Sequence, residues 1–162
     1  SLHDALPIFF APIYFTPASV LLKNAKDMGY DMTLMGTDGM DGLLSVEGFD
    51  TSLAEGVLLM TPFSADDEKN ADFVNAYKDK YGETPDQFAA DAYDGVHAVA
   101  EAVKEAGLGV DADPTEVAEK LSKAMLKITV DGLTGKLTWN DKGQVQKEPT
   151  AYVITDGKYV QA

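Results

Sequence analysis

The chain has 162 residues, 45% of them apolar, enough for a cored globular unit, with no apolar run of membrane-spanning length. Its 27 acidic against 13 basic side chains give a formal charge of -14, which repels nucleic-acid backbones and anionic lipid surfaces. The absence of cysteine excludes disulfides, thiolate metal sites and thiol catalysis, and two histidines, His3 and His97, are too few for a zinc site or a Ser-His-Asp triad.

Residues 1–7 have neither the basic head nor the apolar core of a secretion signal and are read as a non-native leader on a chain that begins mid-fold. Residues 8–14 form a β-favouring apolar run with Pro12 at its end, read as a buried strand leading into a loop. Thr16 and Pro17 read as N-cap and first residue of a helix whose inner face is Ala18, Leu21, Leu22, Ala25 and Met28 and whose stop is Gly29. A second apolar strand at 32–36 completes a βαβ unit with a parallel strand pair.

That strand runs into Thr37-Asp38-Gly39-Met40-Asp41-Gly42. A carboxylate directly after a strand sits where open α/β sheets keep their ligands. No nucleophile, metal cluster or phosphate loop accompanies Asp38, so recognition of a cationic group is expected rather than catalysis. On the residues alone, Asp38-Gly39 also reads as a turn in which Asp bonds to the backbone and Gly supplies a positive φ. Asp41 reads as an ordinary loop residue.

Residues 43–54 read as short helical turns and 56–63 as a third buried strand stopped by Pro62. Ser64 is expected to cap a helix with Asp66, Asp67 and Glu68 in its first turn, placed there by the helix dipole, and Phe73, Val74, Tyr77 and Tyr81 inward. The breaker cluster 82–86 is the expected crossing between structural units. An alanine-rich helix is predicted over 87–106 and expected to be deeply packed, with Asp94 on its face. Asp113-Pro114-Thr115-Glu116 starts another helix, with Glu116 reaching back as in a capping box and Val117, Leu121 and Met125 inward. The segment from 128 onward is β in texture. Asn140-Asp141-Lys142-Gly143 and Asp156-Gly157 close two hairpins, and 132–136 is read as a turn entering the first of them.

Seven segments occur in a characteristic order: 8–14; Lys26-Asp27-Met28-Gly29-Tyr30; Met35-Gly36-Thr37-Asp38-Gly39; Ala54-Glu55-Gly56-Val57; Phe73-Val74-Asn75-Ala76-Tyr77 with Tyr81-Gly82; Ala90-Asp91-Ala92-Tyr93-Asp94; and Gly132-Leu133-Thr134-Gly135. From residue 8 to residue 160 the chain thereby resembles the second half of the substrate-binding proteins that serve branched-chain amino acid ABC transporters, the leucine/isoleucine/valine-binding type. The resemblance implies an α/β, Rossmann-like, two-lobe periplasmic-binding-protein (type I) fold present as a partial chain. Residues 8–85 would lie in the second lobe, 86–147 would return to the first, and 148–162 would form a terminal crossover and hairpin. It also implies a periplasmic or lipid-anchored extracellular receptor that closes on an amino acid and delivers it to an ABC permease, with no cofactor and no catalysis.

By position, the resemblance implies that Asp38 takes the ligand α-ammonium and that Tyr14 closes over it. Thr37 and Phe63 would lie beside them, Phe63 as apolar wall. The family often carries Glu where this chain has Asp38, one methylene shorter. Two other readings stay open at this stage: a ligand-sensing ectodomain of the same fold, and a small α/β enzyme using Asp38 and Asp41 as an acid/base or magnesium pair.

Overall fold

A computed structural model of the chain describes residues 8–162. The leader reading for residues 1–7 lies outside the described residues. The chain divides into two compact units, one of residues 1–87 with 149–162, the other of residues 88–148.

The first unit is built on a five-stranded sheet. Strands β1 (Ile8–Phe10), β2 (Thr33–Gly36) and β3 (Leu58–Met60) are parallel neighbours, and β7 (Ala151–Thr155) and β8 (Lys158–Gln161) continue the sheet antiparallel in the order β1-β2-β3-β7-β8. Phe9 faces Leu34 and Met35 faces Leu58 in the parallel register. The βαβ unit is present as read, with shorter strands: the expected strands at 8–14 and 56–63 are paired only over three residues each. The first was read as buried, but β1 is the edge strand and its Ile8, Phe9 and Phe10 are exposed.

Helix α1 (Phe15–Asp27) joins β1 to β2 and lays Ala18 and Leu22 on a core of Leu34, Met40, Leu43, Val57, Leu59 and Ile154. Its start differs from the reading. Tyr14 is the N-cap residue and Pro17 is the third helical position, where its missing N–H still lies among the first-turn amides that have no intrahelical acceptor. Gly29 ends the helix as expected: the Tyr30 N–H reaches the Ala25 carbonyl at 2.8 Å and the Gly29 N–H the Lys26 carbonyl at 3.0 Å, closing the last turn through a left-handed residue.

Between β2 and β3 the chain forms three 3-10 turns, Asp38–Met40, Leu43–Ser45 and Thr51–Ala54, in line with the helical turns read over 43–54. After β3 the helix start is again later than read. A 3-10 turn at Glu68–Asn70 precedes α2 (Ala71–Tyr81), and Asp67, not Ser64, caps that turn by accepting the Lys69 N–H at 3.1 Å. The acidic triplet is therefore not a first-turn dipole cluster: Asp66 accepts the Tyr159 N–H at 3.2 Å and Asp67 pairs with Lys69 at 2.9 Å. Phe63, Phe73, Tyr77 and Tyr81 form a chain of ring contacts 4.6 to 6.0 Å apart, and Gly82 terminates α2 in the left-handed region.

Helix α3 (Gln87–Ala106) has the bounds read from sequence. It is not deeply packed on all sides. Ala90, Asp94, Ala98 and Ala102 make one buried stripe at four-residue spacing, while Val96 is 70% exposed and Phe88, Tyr93 and Val99 are also open. Helix α4 (Pro114–Met125) is capped by Asp113, which accepts the Thr115 N–H at 2.9 Å. Glu116 engages Lys120 at 2.6 Å rather than reaching back to the cap.

The second unit also contains a three-stranded sheet of β4 (Val130–Gly132), β5 (Gly135–Trp139) and β6 (Val145–Gln146). Strand β4 was not expected. Gly132 pairs with Gly135 across Leu133-Thr134, so the presumed entry turn is a two-residue hairpin of its own. Ala98, Val130 and Leu137 form the core here, with Ile128 and Trp139 against it. Both expected hairpins are present, Asn140 to Gly143 between β5 and β6, and Asp156-Gly157 between β7 and β8. In the latter both turn residues take positive φ, as a tight twisted hairpin requires.

Candidate functional site

Because β1, β2 and β3 run parallel, the loops that follow them leave the sheet at the same carboxyl edge. Tyr14 follows the first, Thr37 and Asp38 the second, Phe63 the third. Thr37 is extended and half-buried, and its carbonyl accepts the Met40 N–H at 3.0 Å, which folds Asp38–Met40 into a single tight turn. Asp38 is exposed, and its Oδ1 accepts the Gly39 N–H at 2.9 Å.

Tyr14 is 63% exposed and borders this turn directly. A Cβ on Gly39 would stand 3.4 Å from Tyr14 Cδ1 and 3.3 Å from the Ile13 carbonyl oxygen. Gly39 is thus selected by close approach of the neighbouring loop. The expected positive φ is found instead at Gly42, φ 97°. Gly36 has a similar cause: a Cβ there would overlap the Met40 side chain, which folds back over the strand end.

Phe63 differs from the other three. It is 1% exposed, with its ring edge-on to Phe73 at 6.0 Å, so it belongs to the core of the unit and has no open face toward a ligand. The edge brings together Tyr14, Thr37 and Asp38.

Asp41 lies in the loop as read, between the first two 3-10 turns, but is buried there. It is 4% exposed, its Oδ2 accepts the Gln87 N–H at 2.6 Å and its Oδ1 the Gly42 N–H at 3.0 Å. Burial pushes its pKa up to about 6; the Gln87 and Gly42 amides pull it down and nearby Asp86 adds to the rise. Each oxygen is committed to a backbone amide, so Asp41 is not available as a partner for Asp38 and the acid/base pair is not assembled. Among the described residues no group of three His, Cys, Asp or Glu is placed to hold a metal ion, and no helix is long and apolar enough to cross a membrane.

Asp94 lies on a face of α3 as read, and its carboxylate is likewise buried. At 2% exposure it accepts the Leu133 N–H at 2.8 Å, the Thr134 N–H at 2.9 Å and the Thr134 hydroxyl at 2.7 Å, clamping the β4–β5 turn onto α3. Lys147 Nζ bonds Asp91 and the same Thr134 hydroxyl oxygen at 2.9 and 3.1 Å. One signal for this clamp was in the sequence: Tyr93-Asp94 and Gly132-Leu133-Thr134-Gly135 both belong to the segments that carried the resemblance. Neither Asp41 nor Gln87 had such a signal.

An exposed carboxylate held on a backbone amide, at a sheet edge where an aromatic ring borders the same turn, is suited to a charge-assisted hydrogen bond with an ammonium group.

Residues 8–158 match the family described as periplasmic binding protein. The leucine-, isoleucine-, valine-, threonine- and alanine-binding protein of Pseudomonas aeruginosa is 31% identical over 134 residues, 82% of this chain and 34% of that protein. A Leu/Ile/Val-binding protein homolog of Brucella abortus is 30% identical over 150 residues, 88% of this chain and 38% of the other. Among solved structures, the branched-chain amino acid transporter substrate-binding protein LivJ of Streptococcus pneumoniae, in complex with isoleucine, superposes with a TM-score of 0.75 at 28% identity. That match covers 96% of this chain and 44% of LivJ. An extracellular ligand-binding receptor of Rhodopseudomonas palustris, at 20% identity and a TM-score of 0.79, shares the fold over 96% of this chain and 47% of its own. The chain spans little more than a third of the length of the curated relatives it matches. With a family match over nearly all its described residues and a sheet of the same architecture, the chain belongs to the periplasmic binding protein family and carries part of its type I fold.

Proposed function

We propose that this chain is the part of an extracytoplasmic amino-acid receptor that contributes the second ligand-binding lobe, residues 8–85 with the terminal hairpin of 148–162, while 86–147 return to the first lobe. Asp38 receives the α-ammonium of the ligand, Thr37 flanks it, and Tyr14 covers it when the lobes close. Phe63 supports this edge from within the core and makes no ligand contact. Closure follows from ligand contacts that exist only in the closed state, since a ligand shifts an equilibrium only by its differential affinity for the two states. The receptor acts in the periplasm, or lipid-anchored outside the cell, and passes its ligand to an ABC permease.

The observation that carries this reading is the placement of an exposed carboxylate at the carboxyl edge of three parallel strands, next in sequence to Gly39, which an exposed tyrosine approaches closely. Support for the ligand class comes from the relatives, named for binding leucine, isoleucine and valine. The test is calorimetric titration of leucine, isoleucine and valine into a two-lobe protein containing this chain, beside its Asp38→Ala and Asp38→Asn variants. Loss of about 2–5 kcal/mol in Asp38→Ala is expected, the range for leaving a charged partner unmatched. Asp38→Asn keeps the shape and loses most of the same affinity. Binding by Asp38→Ala within about threefold of the parent, roughly 0.7 kcal/mol, refutes the assignment.

A further inference from the structure

The buried polar side chains behind the candidate site converge on one backbone position. Gln87, 1% exposed, is the first residue of α3, and the chain passes from one compact unit to the other immediately after it. Its N–H is held by the Asp41 carboxylate at 2.6 Å, its Nε2 donates to the Asp38 carbonyl at 3.0 Å, and the Thr61 hydroxyl stands 3.5 Å from its Oε1. The loops after β2 and β3 therefore both grip the start of α3. The residue whose carbonyl takes part is the one whose side chain faces solvent at the candidate site.

We infer that Asp41 and Gln87 are positioning residues, a polar latch that holds the Asp38 turn and the Gln87 backbone of the same unit in fixed register, so that a displacement of either is passed to the other. Its functional meaning for ligand closure rests on the reading of Asp38 given above; the mechanical coupling stands without it. First-turn amides have no acceptor in their own helix, and a carboxylate there gains from both the amide and the helix dipole. The Gln87 side chain cannot swing away without breaking its bond to the Asp38 carbonyl and leaving buried groups unpaired, each costly in a low-dielectric interior. A residue pinned in this way ties the Asp38 turn to the backbone at position 87, both within the first unit.

The latch carries its own reporter. Asp41 borders a cavity of about 440 Å3, and its buried carboxylate titrates near pH 6 rather than in the ordinary carboxylate range. The charged and titratable groups around it are Asp86 and Glu83 from the segment before α3, Lys78 of α2, Asp66 ahead of α2, Tyr152 of β7 and Tyr159 of β8. The Tyr159 hydroxyl lies beside the carboxylate, buried and without a hydrogen bond of ordinary geometry, and its pKa is raised by burial and by the Asp41 charge.

The experiment is an amide NMR titration of this chain between about pH 4.5 and pH 8, a window spanning the Asp41 midpoint. The Gln87, Asp38 and Gly39 amides are expected to shift with one common midpoint near pH 6, and Asp41→Asn removes the step at all three. Gln87→Met keeps the backbone N–H on Asp41 and removes the side-chain contacts to the Asp38 carbonyl and the Thr61 hydroxyl. There the residue 87 amide keeps its step, and the step at the Asp38 and Gly39 amides shrinks by more than half, to what the Asp41 N–H bond to the Asp38 carbonyl at 2.9 Å carries by itself. A step of undiminished size at Asp38 and Gly39 in Gln87→Met overturns the latch, as does a parent chain with no common midpoint, which decides the question even if Gln87→Met fails to fold. Asp38→Asn must leave the step at Gln87 intact, which keeps a failed latch distinct from a failed ligand assignment.

Discussion

The Asp94 clamp permits the most direct energetic test. Asp94→Ala removes the acceptor of three donors at once: the buried Thr134 N–H, the partly buried Leu133 N–H and the Thr134 hydroxyl. A buried donor left without a partner costs about 1–3 kcal/mol. The Thr134 hydroxyl still accepts from Lys147, 3.1 Å away, but its own O–H loses its acceptor as well. The two backbone amides cannot move without unpairing β4 from β5, where Gly132 faces Gly135. We therefore expect a loss of about 3–5 kcal/mol, comparable to breaking a buried charged network from one side. Asp94→Asn retains one acceptor oxygen but turns an NH2 toward a backbone donor, for a loss of about 1–3 kcal/mol. Trp139 is the sole tryptophan and packs against Ala98, Val130 and Leu137 in the same unit, so its fluorescence during urea denaturation reports on this unit directly. Thr134→Val, alone and combined with Asp94→Ala, gives the coupling between the two side chains. If Asp94→Ala unfolds within about 1 kcal/mol of the parent, the turn is held by its strand pairing and the clamp contributes little.

Three further outcomes are expected. Asp41 is protonated more readily in the folded chain, at about pH 6, than at its ordinary 3.8. The stability it contributes is therefore present below about pH 4 and lost as pH rises through 6, up to about 3 kcal/mol at 1.36 kcal/mol per pH unit. Denaturation of the parent and Asp41→Asn across that range should show the parent losing stability relative to the variant as pH rises, and parallel curves would count against it. The carboxylates of Asp50 and Asp67, lowered mainly by hydrogen bonds to Ser52 and Lys69 respectively, act with the opposite sign but cancel in this difference. Phe63→Ala should destabilise the first unit by about 3–5 kcal/mol, the usual result of emptying a fully buried aromatic site, measured by thermal unfolding; a change below about 1 kcal/mol would show that the ring is not core. Gly36→Ala should also destabilise that unit, because the new Cβ must displace Met40; Met40→Ala in the same chain should restore part of the loss, and no restoration would place the strain elsewhere.

Features decided within a few residues were legible from sequence. The span of α3, the Asp113 cap of α4, the stops at Gly29 and Gly82 and the hairpin at Asp156-Gly157 all rest on periodicity, side-chain-to-backbone bonds or a positive φ, which act over one helical turn or less. The same local logic placed Asp38 at the end of a strand, and the parallel order of β1, β2 and β3 then carried Tyr14 to its side. The roles of Asp41 and Asp94 were not legible, since the amides that accept burial of these carboxylates lie about 40 residues or more away along the chain, at Gln87 and at Leu133-Thr134. A charged side chain is written the same way whether it faces water or seals a buried junction, and only the packed structure decides which, because desolvation is offset only where distant backbone donors are brought within hydrogen-bonding reach. Phe63 and the exposed side of α3 follow from the same cause. An apolar residue names its preference for burial, but the surface that does or does not cover it is assembled by the tertiary fold.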